Sequence, residues 1–151
     1  MGKTKKSAGS ITNRRARFDY ELSEPLVAGL QLTGAETKAL RLGFGQLHGA
    51  FITVKGGELW LVCARIASGR GIEISETNQY RDRKLLAKRQ EIQKLIAAKQ
   101  QGLTIVPLEL LTKGRYIKVR IAAGRGKKRY DKRETIKRRQ QEREIARLTK
   151  S

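Results

Sequence analysis

Two stretches of the sequence place arginine and lysine next to an aromatic residue. Residues 13–20 read NRRARFDY, and residues 124–134 read GRGKKRYDKRE. Guanidinium groups form bidentate hydrogen bonds with phosphate, and aromatic rings stack on nucleobases with little dependence on base identity. Tyr130 is the better stacking candidate, because Phe18 and Tyr20 stand at alternating positions that predict a core. Both stretches are therefore candidate contacts for a nucleic acid.

Residues suited to catalysis or metal binding are sparse. With His48 as the single histidine and Cys63 as the single cysteine, the chain can form neither a zinc site of Cys and His nor an internal disulfide. Gly43, Gly45 and Gly49 have the spacing GxGxxxG, which fits neither a dinucleotide site nor a P-loop and predicts turns. Carboxylates occur singly. We therefore predict no enzyme, no metal and no cofactor, and we expect Cys63 to be a buried apolar residue.

The positive charge is large and concentrated at both ends of the chain. The 151 residues carry a formal net charge of +20, which implies a polyanionic partner. Residues 1–17 contain six basic and no acidic groups, and residues 125–151 contain twelve and four. No apolar stretch has the length of a signal peptide or transmembrane helix, and the basic tail lacks the apolar face of a membrane-surface helix. We therefore expect nucleic acid rather than a membrane as partner, and a cytoplasmic location.

Hydrophobic periodicity predicts several short strands in the first half of the chain. Alternating apolar residues predict a strand over residues 13–22. Thr33 and Glu36 have the spacing of a capping box, which predicts a helix over residues 33–42. Gly56–Gly57 separates two β-rich segments and predicts a hairpin.

A second helix and a second hairpin are predicted further along. The helix is expected over residues 82–101, and the hairpin over residues 103–122. Pro107 has no N–H to donate to a strand pairing, so it indicates a sheet edge or a bulge. Trp60, within the apolar run ELWLVCARI, is expected to belong to the core rather than to a base-stacking surface.

These elements predict a mainly β fold with flanking helices, a small and partly closed antiparallel barrel of the oligonucleotide-binding type. Residues 13–124 are expected to form this body, preceded by a disordered basic leader over residues 1–12. Residues 125–151 form a basic tail with too few apolar residues to stabilise its own order. We expect the tail to be flexible until a polyanionic partner neutralises it.

The order and spacing of the motifs resemble those of the SsrA-binding proteins, the small protein B family, which are partners of bacterial transfer-messenger RNA. The resemblance extends from Asn13 to about Leu148 and rests on NRRARFDYEL, AGLQLTGAETKALR, GELWL, RDRKLL, GLTIVPLELL and GRGKKRYDKRE. It implies a barrel that binds the tRNA-like part of transfer-messenger RNA and accompanies it, with elongation factor Tu, to stalled ribosomes in trans-translation. It also implies that the tail contacts 16S ribosomal RNA in the decoding centre and empty message channel and becomes helical there.

The resemblance further implies which residues contact RNA. In the body these are Asn13, Arg14, Arg15, Arg17, Lys38, Arg41, Lys84, Leu85 and Leu86. In the tail they are Lys127, Lys128, Tyr130, Asp131, Lys132, Arg133, Lys137 and Arg138. Val27 replaces an acidic residue of many members, and the 67–81 loop differs from the usual sequence, so the contacts of the body are expected to differ in detail. Composition alone leaves a ribosomal or rRNA-binding protein with the same type of body as the alternative.

Overall fold

The computed structural model of the protein describes residues 10–127 and 129–149. The strands are β1 (Ser10–Thr12), β2 (Tyr20–Leu22), β3 (Leu26–Leu30), β4 (Gly45–Gln46), β5 (Phe51–Lys55), β6 (Glu58–Val62), β7 (Arg65–Ile66), β8 (Arg83–Leu86), β9 (Thr104–Leu111) and β10 (Lys118–Gly126). The helices are α1 (Arg14–Asp19), α2 (Gly34–Arg41), α3 (Glu76–Gln79), α4 (Arg89–Gln100) and α5 (Arg129–Thr149). Residues 1–9 of the predicted leader lie outside the described residues.

Six antiparallel strands close into a barrel. They are neighbours in the order β9, β5, β6, β8, β3 and β10, and β10 pairs again with β9. Two short strands extend this sheet, since β1 pairs with β9 and β2 with the end of β10. The predicted mainly β barrel with flanking helices is confirmed. Its ring of pairings is complete rather than partly closed, which leaves fewer backbone groups at open edges.

The barrel interior is filled by fully buried aliphatic side chains. They are Ile52, Leu59, Leu61, Leu85, Ile105, Leu110, Val119 and Ile121. Burying one such side chain stabilises the fold by about 1.5–3 kcal/mol. A second, smaller cluster packs α1 against β9 and β10, and consists of Ala16, Val106, Leu108 and Ala122.

The predicted irregularity at Pro107 is a β-bulge. The pairing register between β9 and β10 skips Leu108, the residue that follows the proline. Asn13 lies over this bulge, where its backbone N–H donates to the Leu108 carbonyl at 2.7 Å and its side-chain Nδ2 donates to the Pro107 carbonyl at 2.9 Å. The bulge therefore positions the start of α1.

The strand predicted over residues 13–22 is wrong for most of its length. Arg14–Asp19 is helical, and only Tyr20–Leu22 is extended. Arginine and alanine favour helices, and the helical turn buries Ala16 against the barrel, which the alternation of apolar residues did not reveal. The predicted leader is also too long, because Ser10–Thr12 forms a strand on the edge of β9.

The helix predicted over residues 82–101 is correct only for its second part. Arg83–Leu86 is a strand of the barrel, and the helix begins at Arg89. The carboxylate of Glu91 accepts a hydrogen bond from the backbone N–H of Lys88 at 3.1 Å, which satisfies one of the free donors at the helix start. The sequence prediction treated the apolar residues of β8 and the apolar face of α4 as one continuous helix, because each of the two segments is short.

The capping box and the two hairpins are confirmed, whereas Gly45, predicted to lie in a turn, is a buried residue of β4. In α2, the Thr33 hydroxyl accepts from the Glu36 N–H at 3.2 Å, and the Glu36 carboxylate accepts from the Thr33 N–H at 2.9 Å, which is the predicted capping box. Gly56–Gly57 joins β5 to β6, with both glycines at positive φ. The second predicted hairpin is formed by β9 and β10.

Two side chains near the end of β6 differ from expectation. Trp60 is half-buried rather than in the core, and its Nε1 donates to the Lys55 carbonyl at 3.4 Å. Cys63 is exposed, with a φ of 65°, so the prediction of a buried cysteine is wrong. The apolar run that contains both residues is covered on one face only, because Leu59 and Leu61 alone are fully buried in β6.

The tail begins later than the sequence predicted. Strand β10 continues to Gly126, which places the end of the body two residues beyond residue 124. Residues 129–149 are helical, and the apolar residues Ile136, Ile145 and Leu148 are exposed along that helix. That the tail is disordered before it binds a partner stays a prediction.

Candidate nucleic-acid interface

Helix α1 presents a group of exposed arginines at the surface of the barrel. Arg14, Arg15 and Arg17 are all exposed. The Nε of Arg15 lies 3.3 Å from the carboxylate of Asp19, and its guanidinium lies 5.8 Å from the centroid of the Phe18 ring. These side chains can reach a phosphate backbone. Asn13, which the resemblance placed in the same RNA-binding group, is buried and holds the β9 bulge, so it positions the helix rather than presenting an RNA contact.

The two basic residues of α2 have different surroundings. Lys38 is exposed and borders a groove of about 350 Å³ beside the 67–81 loop. Arg41 is also exposed, but its guanidinium donates to the Thr112 carbonyl at 3.2 Å and to the Arg115 carbonyl at 3.1 Å. Arg41 therefore holds the loop between β9 and β10 as well as adding charge to the surface.

The loop held by Arg41 carries an exposed aromatic side chain. Tyr116 projects from it, with the Arg115 guanidinium 5.7 Å from the ring centroid. The neighbouring outward residue Lys118 is exposed, whereas the side chain of Arg120 pairs with Glu109. This end of the hairpin therefore presents exposed basic and aromatic side chains.

Strand β8 divides its predicted RNA-binding residues between the two faces of the sheet. Leu85 is 0% exposed and lies in the barrel core, so its prediction as an RNA contact is wrong. Leu86 is 53% exposed, and Lys84 is half-buried. Leu86 and Val27 border an open depression of about 440 Å³ together with Lys84 and Lys88. Side chains alternate along a strand, so two adjacent leucines cannot share a face.

A buried ion-pair network that the sequence did not predict positions β8 and α2. Arg83 is 0% exposed, and its Nε donates to the Glu36 carboxylate at 3.0 Å. Arg81 binds the same carboxylate through two hydrogen bonds of 2.8 and 2.6 Å. The other Arg83 donors bind the backbone carbonyls of Ala64, Asn78, Gln79 and Arg81. The sequence contained one signal for this burial. Arg83 stands two residues before Leu85, so the alternation of side chains along a strand places both on the inner face.

The charges of this network shift the pKa of both buried partners. Burial by itself raises the pKa of Glu36, but the hydrogen bond from Arg81, the Thr33 N–H and the charge of Arg83 outweigh it, so the pKa of Glu36 is lowered. Burial lowers the pKa of Arg83, and the charge of Glu36 opposes that shift. The lowered pKa keeps the Glu36 carboxylate ionised at neutral pH, and an arginine side chain stays protonated in proteins. The network is therefore a structural support for the surface residues around it.

The tail leaves the barrel beside α1. Gly126 pairs with Tyr20, and the backbone N–H of Lys127 donates to the Asp19 carbonyl at 2.7 Å. Further along the tail, the guanidinium of Arg139 lies 5.9 Å from the Phe18 ring centroid. The basic tail and the arginines of α1 are therefore adjacent, which makes one surface of high positive charge.

The predicted tail residues are placed along this helix as far as the structure describes them. Lys127 is half-buried at the end of β10, and Arg133, Lys137 and Arg138 are exposed on α5. Lys128 lies outside the described residues. Tyr130, Asp131 and Lys132 belong to the first turns of α5, and their side chains are outside the description.

The described part of the chain contains no cluster of three or more His, Cys, Asp or Glu side chains that could hold a metal ion. None of the helices within that part has the length and hydropathy needed to cross a bilayer.

Comparison with known proteins extends over nearly the whole chain. The model of the family described as "SmpB protein" matches residues 10–151. An SsrA-binding protein of Trichormus variabilis is 46% identical over 146 residues, covering 92% of this chain and 91% of that protein. An SsrA-binding protein of Coxiella burnetii is 45% identical over 141 residues, covering 92% and 89%.

A solved structure gives the same result at the level of the fold. A chain in the structure described as "tmRNA-SmpB: a journey to the center of the bacterial ribosome" superimposes with a TM-score of 0.66 at 38% sequence identity, covering 85% of this chain and 94% of that one. The region matched by the family model includes the barrel, helices α1 and α2 with their exposed basic residues, and the tail. The chain therefore belongs to the SmpB protein family, the SsrA-binding proteins.

Proposed function

We propose that this protein binds the tRNA-like part of transfer-messenger RNA and accompanies it to stalled ribosomes in trans-translation. The proposal is supported by relatives that carry the name SsrA-binding protein and by a structural neighbour described with both tmRNA and the bacterial ribosome. In this role the protein binds and positions RNA and performs no catalysis. Because ribosomes work in the cytoplasm, the proposal also places the protein there.

The observation that carries the proposal is the junction between α1 and the tail. The hydrogen bond from the Lys127 N–H to the Asp19 carbonyl fixes the start of the tail next to the exposed Arg14, Arg15 and Arg17. A rigid barrel can therefore bind one RNA through α1 while the tail extends toward a second RNA surface. This arrangement fits a protein that connects transfer-messenger RNA to ribosomal RNA.

The tail is proposed to contact 16S ribosomal RNA in the decoding centre and the empty message channel. Arg133, Lys137 and Arg138 lie exposed on α5 and are available for phosphate contacts. Tyr130 and its basic neighbours Lys128 and Lys132 would begin this contact at the entrance of the tail, with Asp131 pairing locally. Elongation factor Tu would take part through the alanyl end of the RNA, without contacting the residues named here.

The barrel surface is proposed to bind the tRNA-like part through α1, Lys38, Lys84 and Leu86. Val27, which by the resemblance replaces an acidic residue of many members, lies beside Leu86 in the depression described above. An apolar residue at this position would replace a polar contact with van der Waals contact to the RNA. The departure therefore changes one detail of the surface and leaves its basic residues in place.

Salt-titrated binding of the tRNA-like RNA domain tests the proposal. The full-length chain and a chain ending at Lys127 would be compared, with bulk tRNA as competitor. We expect both chains to bind the tRNA-like domain selectively, and only the full-length chain to support release of stalled ribosomes. Replacing Arg14 and Arg17 with glutamine should lower affinity and reduce the salt slope by roughly 0.7–0.9 for each phosphate that is no longer neutralised.

The alternative, a ribosomal or rRNA-binding protein, predicts a different result. Bulk tRNA and other structured RNAs would then compete equally with the tRNA-like domain, because counterion release would account for the affinity. That outcome would replace the proposed function with the alternative.

A further inference from the structure

Tyr80 is a large aromatic residue that the surface described above does not use. It follows α3 in the 67–81 loop region, and 56% of the residue is exposed. The guanidinium carbon of Arg65, on β7, lies 5.9 Å from the centroid of its ring. An exposed tyrosine next to an arginine is the combination that binds a nucleobase by stacking and its phosphate by charge.

The arginine of this pair is held in place from the protein side. The Nε of Arg65 donates to the side-chain oxygen of Gln79 at 3.0 Å. Gln79 is buried, and its own Nε2 donates to the Ile74 carbonyl at 3.1 Å. Only the Nε of Arg65 is used by this contact, so its two terminal nitrogens are available to a ligand.

The tyrosine is fixed by the buried network. One terminal nitrogen of Arg83 donates to the carbonyls of Asn78 and Gln79, the two residues before Tyr80, at 2.9 and 3.1 Å. The next residue, Arg81, is bound to Glu36. Tyr80 therefore extends from a backbone segment that is hydrogen-bonded on both sides, so the protein loses little conformational entropy when a ligand stacks on the ring.

The charges nearby restrict the kind of nucleic acid that fits. Glu73 and Glu76 are exposed in the same loop, so the region is not a general phosphate-binding patch like α1. Duplex RNA would bring several phosphates close to these carboxylates. An unpaired nucleotide needs only one aromatic face and one cation, which Tyr80 and Arg65 provide.

Contacts through the 67–81 loop and Arg81 connect the pair to α2, which carries Lys38 of the proposed interface. Lys38 and the 67–81 loop border the groove of about 350 Å³ together, and Arg81 connects Tyr80 to the first turn of α2. A nucleotide bound at Tyr80 could therefore be part of an RNA that also contacts Lys38.

We propose that Arg65 and Tyr80 form an additional RNA-binding site that takes one unpaired nucleobase, stacked on Tyr80, with its neighbouring phosphate on Arg65. The inference rests on the proposed function for the identity of the RNA but not for the chemistry of the site. It assigns a binding role to the segment that contains α3 and Tyr80.

Binding of two probes by four full-length variants tests this site. The probes are the tRNA-like domain of transfer-messenger RNA and a single-stranded oligouridine that contains 5-iodouridine for photo-crosslinking. The variants are Tyr80→Ala, Tyr80→Phe, Arg65→Gln, and the control Thr77→Ala, which changes an exposed residue of α3, the helix that precedes Tyr80. Far-UV circular dichroism and thermal unfolding confirm that each variant is folded.

We expect Tyr80→Ala to weaken oligouridine binding about five- to tenfold and to abolish crosslinking at position 80 without changing the salt slope. Tyr80→Phe should bind like the parent protein, because the ring is kept. Arg65→Gln should weaken binding and lower the salt slope by about one, since one phosphate is no longer neutralised. Thr77→Ala should change neither quantity.

Three results would overturn the site. They are equal affinities for Tyr80→Ala and Thr77→Ala with both probes, a loss in Tyr80→Phe as large as in Tyr80→Ala, or crosslinks that do not include Tyr80. Failure of the proposed function has a different signature. The parent protein would then fail to prefer the tRNA-like domain over bulk tRNA, while the oligouridine still reports on the Tyr80 site.

Discussion

Glu36 of α2 and Arg83 of β8 form an ion pair of 3.0 Å in which the two side chains are 2% and 0% exposed. The pair joins the first turn of one helix to a barrel strand 47 residues away in sequence. Arg83 also binds four backbone carbonyls, so its donors are satisfied despite complete burial. The relationship fixes α2 and its Lys38 relative to β8 and its Lys84 and Leu86.

Glu36→Gln should destabilise the protein by about 3–5 kcal/mol, because it leaves the Arg83 charge buried without its partner. Urea unfolding followed by circular dichroism measures the loss. The matched control is Asp82→Asn, which removes the exposed pair with Lys55 and should cost less than about 1 kcal/mol. Similar losses in the two variants would mean that the buried pair does not stabilise the fold.

Lowering the pH should remove the contribution of the Glu36 carboxylate to the free energy of unfolding. Its pKa in the folded protein is lowered, so between that value and the unfolded value of roughly 4.3 the unfolded carboxyl binds a proton that the folded one does not. The stabilisation is therefore fully present above the unfolded pKa and is lost as the pH falls through the folded pKa.

Unfolding free energies of the parent protein and Glu36→Gln between pH 7 and pH 3 check this dependence. We expect the difference between the two proteins to be constant near neutrality and to shrink below about pH 4. A difference that grows in acid would show that the folded pKa is raised instead.

Alanine substitutions at Leu85 and Leu86 should have separate effects, the first on the free energy of unfolding and the second on RNA affinity. Leu85→Ala removes a fully buried side chain from the barrel and should cost about 2–5 kcal/mol of unfolding free energy. Leu86→Ala alters an exposed side chain, so its stability should stay within about 0.5 kcal/mol of the parent value, while its affinity for the tRNA-like domain falls. Thermal unfolding and RNA binding of both variants measure the two effects, and the reverse pattern would contradict the observed phase of β8.

Gly124 and Gly126 should respond differently to alanine. A Cβ at Gly124 would lie 2.9 Å from the Leu22 side chain and 3.1 Å from the Glu21 carbonyl, whereas a Cβ at Gly126 meets no atom within 4 Å. We therefore expect Gly124→Ala to cost about 1–3 kcal/mol and to loosen the β2–β10 pairing from which the tail starts.

Hydrogen exchange of residues 20–22 and a ribosome-rescue assay measure the consequence. Gly124→Ala should exchange faster and rescue less efficiently than Gly126→Ala, although both keep the same tail sequence. Equal behaviour of the two variants would show that close packing at Gly124 does not control the direction of the tail.

Local sequence signals were reliable where one short segment contains all the necessary partners. The capping box of Thr33 and Glu36 and the hairpin at Gly56–Gly57 depend on residues at most a few positions apart, and both formed as predicted. The irregularity at Pro107 was also predictable, because proline lacks the N–H that a ladder needs.

The signals failed where distant residues decide the conformation. Arg14–Asp19 is helical because it packs on β9 and is anchored at the bulge, and neither partner is near it in sequence. Arg83–Leu86 is extended because its neighbours are β6 and β3 and because Arg83 donates to backbone carbonyls at Ala64 and in residues 78–81. A four-residue strand is too short for its alternation to be distinguished from a helix start.

Charge and hydrophobic periodicity were sufficient to predict a mainly β body with a basic tail and a polyanionic partner, because both are properties of composition and local order. Which candidate residues face that partner became clear only from the folded chain. Folding buried Asn13 and Leu85, left Leu86 and Tyr80 exposed, and placed the tail beside α1. These outcomes could not be read from local patterns, because the phase of a strand and the direction of a side chain depend on pairing and packing between segments far apart in the chain.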